Sequence, residues 1–167
     1  VDRNKKLDPV DRRARLLTAA AALTALWMLL GALGSEAFDR MLTTFGLVMA
    51  TAISVRYSGK DRPWWARAVV VFIAAAALGR VAVQASGIGG LLAALRGPMP
   101  DLLILLVVLH GAEINDRRTN RVHLAITGIV VADAAGLRID GRVGWWMLVW
   151  GVLAVAAFSS LGTDRAL

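Results

Sequence analysis

Apolar and polar positions along the chain form long apolar runs separated by short charged or Gly/Pro breaks. LLTAAAALTALWMLLGAL fills 16–33 and FDRMLTTFGLVMATAISV fills 38–55; comparable runs cover 64–85, 101–114, 122–137 and 143–160. Crossing a bilayer takes roughly 20 mostly apolar residues in a helix. The pattern therefore predicts an all-α polytopic membrane bundle of six transmembrane helices over 16–160. A basic segment, 1–15, precedes it, and a short tail, 161–167, follows. The fourth and fifth runs are near the short limit. Five spans, with those two forming a re-entrant pair, is the alternative.

The breaks carry helix-end chemistry. Asp8-Pro9-Val10-Asp11 reads as an N-cap, a proline at the first helical position and an acid in the first turn. Gly34-Ser35 reads as a stop and a new start, so spans one and two should form a tight hairpin. Asp61-Arg62-Pro63-Trp64-Trp65 and Pro100-Asp101 open further spans. The stretch SGIGGLLAALRGPMP, 86–100, is still apolar, and 91–96 fits either a short interfacial helix or a Gly/Pro loop. Gly87, Gly89 and Gly90 have no strand before them and read as turn chemistry rather than a phosphate loop.

Composition agrees with the pattern. The chain is 57% hydrophobic with mean hydropathy +0.62, above the range of soluble domains. Its net charge of +7 could point to nucleic acid, but the charge sits in short runs between apolar segments, which fits membrane orientation and not DNA binding. Lys and Arg concentrate on cytoplasmic loops. With the N-terminus inside, that face takes the basic residues of 1–15, Arg56, Lys60, Arg62, Arg67, Arg117, Arg118, Arg121 and Arg165. The other side keeps Arg40, Arg80, Arg96, Arg138 and Arg142. The expected setting is a bacterial cytoplasmic membrane, with the N-terminus cytoplasmic. Trp64, Trp65 and Tyr57 then fall at the inner interface, and Trp145 and Trp146 at the outer one. The run after Arg15 is too long for the apolar core of a cleaved signal peptide.

Four ionisable residues fall inside the spans: Arg80, His110, Glu113 and Asp133. Such groups face the bundle interior and pair. At about 1.5 Å per residue, Arg80 and Asp133 both lie in the outer half, so a pair across spans three and five is expected. Separate snorkelling of Arg80 is the simpler competitor. His110 and Glu113 are three apart and share a face. With His123 they make a weak candidate ion site. Glu113 and Arg117, four apart, make a polar anchor instead, with Arg117, Arg118 and Arg121 at the headgroups. The absence of cysteine excludes disulfides, thiolate ligands and a cysteine nucleophile in this chain. No cofactor is implied.

The stretch LLILLVVLHGAEINDRRT resembles the N-terminal multi-span domain of bacterial membrane-anchored transglutaminase-like proteins. In that family a helix ends in an apolar run, then Lys-x-x-Glu-Leu, then a short Arg-rich turn. His110 stands in place of the lysine, Glu113 and Ile114 match the Glu-Leu pair, Arg117 and Arg118 match the turn, and Thr119 stands where the family often has Asp. The tight first hairpin and the Pro63-Trp64 start also fit. The resemblance implies a membrane domain that anchors an extracytoplasmic domain with a Cys-His-Asp constellation, as a fragment or a shortened relative. It carries no catalytic residue to this chain.

Three functions follow as expectations. The first is a non-catalytic membrane domain that anchors or scaffolds a protein partner, with the lipid bilayer as its other contact. The second is a small transporter or channel using Arg80, Asp133, His110 and Glu113, though the halves show no inverted repeat of broken helices. The third, a membrane enzyme using His110 and Glu113, rests on a spacing too common to carry weight. Ala19–Ala22, Ala74–Ala77 and Ala154–Ala157 should allow close helix approach.

Overall fold

The computed structural model describes residues 12–57, 64, 68, 98–114, 116–138 and 141–162. They form an all-helical bundle: α1 Arg12–Ala32, α2 Ala37–Arg56, α3 Pro98–Ala112, α4 Arg117–Leu137 and α5 Gly141–Gly162. Spans one, two, four and six of the sequence reading correspond to α1, α2, α3 and α5. The third span, 64–85, lies outside the described residues apart from Trp64 and Ala68, as do the caps at Asp8-Pro9 and Asp61 and the 91–96 segment.

The first hairpin forms as expected. Gly34 takes φ +69°, a left-handed conformation that glycine adopts without a Cβ clash. The Gly34 amide donates to the Gly31 carbonyl (3.2 Å) and the Ser35 amide to the Leu30 carbonyl (2.9 Å), the paired bonds of a Schellman cap. α2 then starts at Ala37, with Asp39 in its first turn and Arg56 in its last, each sign favourable to the helix dipole.

α1 already runs at Arg12, so Arg12, Arg13 and Arg15 belong to the helix, in keeping with a helix start near Pro9. One boundary differs from expectation. α4 starts at Arg117, five residues before the apolar run at 122. Asp116 is the reason. Its carboxylate accepts from the Thr119 amide (2.7 Å), while the Asp116 amide donates back to the Thr119 hydroxyl (3.1 Å), closing a reciprocal capping box. The arginine turn is thus the first turn of a helix. At 21 residues, α4 is long for half of a re-entrant pair, spanning about 31 Å at the ordinary helical rise.

α1 sits at the centre and touches every other described helix. Within its most apolar stretch, 61% of residues are buried, against 17% for α2 and for α5. Alanines allow this. Ala14, Ala21, Ala22 and Ala25 are fully buried, and Ala21 packs with Leu124, Ala154 and Ala157. Lipid tails are as apolar as leucine, so such contacts hold through close van der Waals packing rather than water release. The main core joins Leu26, Met28 and Leu29 of α1 to Leu47, Leu103, Val107, Val130 and Val131. Ala14, Ile114 and Leu161 close one end. That end collects the start of α1 and the ends of α3 and α5.

α2 turns Phe38, Met41, Leu42, Phe45 and Val48 outward, and α5 exposes Trp145, Leu148, Val152 and Val155. Faces so large and apolar mark a membrane or interaction surface. α1, α2 and α5 are each long and apolar enough to cross a bilayer. α3 is shorter, and α4 carries Arg117, Arg118, Arg121, His123 and Asp133 along its length. The chain is accordingly a membrane protein by the length and composition of these helices.

Candidate functional site

Polar side chains gather on one face of α4. Asn120, His123 and Thr127 follow the i, i+3, i+7 spacing of a helical stripe, and all three are buried. Each meets a different helix. Asn120 Nδ2 donates to the Thr18 hydroxyl of α1 at 3.0 Å. His123 faces His110 of α3, with ring centres 5.5 Å apart and planes tilted by 35°. Thr127 accepts from Trp150 Nε1 of α5 at 3.2 Å, while its own hydroxyl donates to the Leu124 carbonyl at 2.8 Å.

A second polar joint lies at the Ile114 end. Arg15, 4% exposed, donates from Nη1 to the Ser54 carbonyl (2.6 Å) and hydroxyl (3.0 Å). The Ser54 hydroxyl donates onward to the Ile114 carbonyl at 2.6 Å. α1, α2 and the end of α3 are tied together by this chain. Arg117 Nη1 reaches the Leu161 carbonyl at 3.2 Å, adding the end of α5. A cationic donor on neutral carbonyls makes the stronger class of hydrogen bond and satisfies the last carbonyls of helices that lack an intrahelical partner.

Not every polar atom is used. Among the described residues, His110 Nδ1, His123 Nδ1, Asn120 Oδ1, Asp133 Oδ2 and Arg40 Nε are buried with no hydrogen-bond partner. The two histidines belong to the α3–α4 joint. Gly111 lies against this joint: a Cβ there would be in ordinary contact, 3.4 Å from His123 Cε1 and 3.6 Å from Leu47 Cδ1.

The expected site residues divide. His110 and His123 do come together. Glu113 lies past the end of α3, exposed, with its amide donating to the His110 carbonyl (2.9 Å). Among the described residues, no group of three His, Asp or Glu side chains is placed to hold a metal ion. Glu113 and Arg117 do not share a helix, because α3 ends at Ala112 and α4 begins at Arg117. Arg118 is exposed. Asp133 is half-buried, and its expected partner Arg80 lies outside the described residues. Trp64, Trp145 and Trp146 are exposed, at 81%, 66% and 36%; Trp65 lies outside the described residues.

Asp116 shows the clearest electrostatic effect outside the spans. Partial burial pushes its carboxyl upward, but the Thr119 amide and hydroxyl, together with the Arg118 charge and amide, outweigh that and hold it below the ordinary value of 3.8.

Sequence reasoning missed Arg15, Ser54, Thr18, Asn120 and Thr127. The signal at Asn120 and Thr127 was their spacing with His123, hidden because an arginine-rich start made 117–121 look like a loop. The chain matches no protein-family model, no curated protein and no solved structure.

Proposed function

We propose that the chain is a six-span, multi-pass domain of a bacterial cytoplasmic membrane, with its N-terminus in the cytoplasm. Its role is to anchor or scaffold a protein partner without catalysis of its own. The observation that carries this reading is how the buried polar groups are spent. Arg15, Ser54, Asn120, Thr18, Thr127, Trp150 and Arg117 bond from helix to helix and lock the bundle instead of lining a path. The span count has its own support. α2 and α3 both end at the Ser54–Ile114 joint, so α3 begins at the far end from where α2 stops. An odd number of crossings between them satisfies that geometry. The resemblance around 102–119 supports an extracytoplasmic transglutaminase-like domain as the anchored partner.

Two measurements test the proposal. Proteoliposomes holding the purified chain should show no solute flux above empty vesicles. In native membranes, an antibody to residues 1–15 should detect the chain joined to, or co-purifying with, a protein carrying external Cys, His and Asp. Solute flux by the chain alone, or a partner-free species at 17.8 kDa, would overturn it.

A transporter or channel is the second reading, favoured by the unpartnered Asp133 Oδ2 and the His110–His123 pair. Along α4, His123 and Asp133 stand about 15 Å apart at the helical rise. Flux that falls in Asp133→Asn and His110→Gln would select it over the anchor.

A further inference from the structure

We infer that the Ile114 end of the bundle binds an anionic phospholipid, its phosphate held by Arg118 and Arg121 and one acyl chain lying along Val122, Ala125 and Ile129 of α4. The site rests on the chain being a membrane protein, and on neither the anchoring role nor the span count.

Charge divides the bundle into unlike ends. Bonds from Arg15 to Ser54, from Ser54 to Ile114 and from Arg117 to Leu161 gather the starts of α1 and α4 with the ends of α2, α3 and α5. Exposed Arg12, Arg13, Arg56, Arg118 and Arg121 stand at this end, where the acids among the described residues are Glu113 and Asp116. At the other end Arg40, Arg138 and Arg142 are matched in number by Glu36, Asp39 and Asp101. One end is therefore cationic and the other balanced. A basic cluster beside a membrane attracts anionic headgroups. Every cation of this cluster is an arginine, whose planar fork offers paired donors to phosphate oxygens.

α4 supplies the place for the chain. Arg118, Val122, Ala125 and Ile129 follow i, i+4, i+7, i+11 and so share one helix face. All four are exposed, Val122 at 44% and Ile129 at 58%. Arg121 flanks this face, four residues before Ala125 and on the same side. From Arg118 to Ile129 the track is about 16 Å long at the ordinary helical rise. One leaflet is half of a hydrocarbon core about 30 Å thick. Two exposed arginines at the head of an apolar track one leaflet long match a phospholipid from phosphate to mid-chain. A nucleic acid would use the arginines and leave the track without a purpose.

The experiment uses the intact chain in detergent micelles. Dioleoyl phosphatidylglycerol and dioleoyl phosphatidylcholine are titrated in separately, and bound lipid is counted by native mass spectrometry. The expected result is a phosphatidylglycerol retained about ten-fold or more tightly than phosphatidylcholine, on the scale of two arginines near an anionic headgroup. Arg118→Gln/Arg121→Gln should abolish that preference, and Arg138→Gln/Arg142→Gln should leave it intact. Arg118 also supports the Asp116 cap, so Arg121→Gln alone repeats the test without touching the cap. Ile129→Ser should weaken retention of phosphatidylglycerol. Equal retention of the two lipids, or a preference that survives Arg118→Gln/Arg121→Gln, would overturn the site. Equal loss in Arg138→Gln/Arg142→Gln would show net charge at work and not a site. Displacement by millimolar inorganic phosphate, or no effect of Ile129→Ser, would reduce it to an anion site without a lipid chain. A DNA duplex that displaces the lipid from wild type but not from Ile129→Ser-insensitive binding would move the arginines to nucleic acid and overturn the lipid reading.

Discussion

Arg15 and Ser54 stand 39 positions apart, yet the Arg15 guanidinium grips both the carbonyl and the hydroxyl of Ser54, and that hydroxyl in turn holds the Ile114 carbonyl. One buried cation therefore ties three helices at one end. Hydrogen bonds to charged groups are worth about 1.5–3 kcal/mol. Arg15→Met and Ser54→Ala should each destabilise the bundle by about that much, read as the shift in SDS unfolding from mixed micelles. The double variant should lose clearly less than the two single losses summed. Strict additivity would show that the joint does not act as a unit.

The capping box at Asp116 predicts an acid sensitivity whose sign follows from the lowered carboxyl. A group that ionises more readily when folded stabilises the fold above its unfolded pKa, and that contribution is lost as pH falls through the folded value. The loss at the start of α4 should therefore appear below about pH 4, the ordinary aspartate range. Asp116→Asn keeps a capping side chain and should flatten this part of the pH profile; Asp116→Ala should cost about 1 kcal/mol at neutral pH. Unfolding measured from pH 3 to 7 separates them. An unchanged acid limb in Asp116→Asn would refute the assignment.

Gly111 offers a size test at the histidine joint. An alanine Cβ would make ordinary contact with His123 and Leu47, so Gly111→Ala should be tolerated and could gain the helix preference of alanine, up to about 1 kcal/mol. Gly111→Val should overpack and cost about 1–3 kcal/mol. Equal stability of the two variants, measured by the same unfolding assay, would contradict the close approach.

Gly34 should resist substitution for a backbone reason. No atom lies within 4 Å of a Cβ built there, so crowding is not the issue; φ +69° is. Gly34→Ala should cost about 1–2 kcal/mol, the penalty of a left-handed turn with a Cβ. Gly34→Asn, which tolerates that region better, should cost less. Thermal unfolding of both variants in detergent gives the order.

Much of the helix plan was legible in apolar run length and in single residues such as Gly34, where one conformational freedom decides a turn. The start of α4 was not, because Arg117, Arg118 and Arg121 mask helical periodicity, and the Asp116–Thr119 box is a two-residue signal inside a charged stretch. Arg15 was read only as one of the basic residues of the inner face; the neighbouring Ser54 and the end of α3, both distant in sequence, make its burial tolerable. The meeting of His110 with His123 could be named as a possibility from the sequence. Which third group would join them could not, because Glu113 falls past a helix end that the apolar run does not mark.

The central place of α1 has a consequence for how the protein is made. α1 leaves the ribosome before α4 and α5, yet Thr18 finds its partner on α4 and Ala21 its neighbours on α4 and α5. Until those helices arrive, the most deeply enclosed helix of the finished bundle has only α2 and α3 beside it, and Thr18 lacks its partner. Biogenesis therefore ends at the same helix where it began. A chain interrupted after α3 presents the bilayer with its most interior surface, the one quality control is best placed to notice.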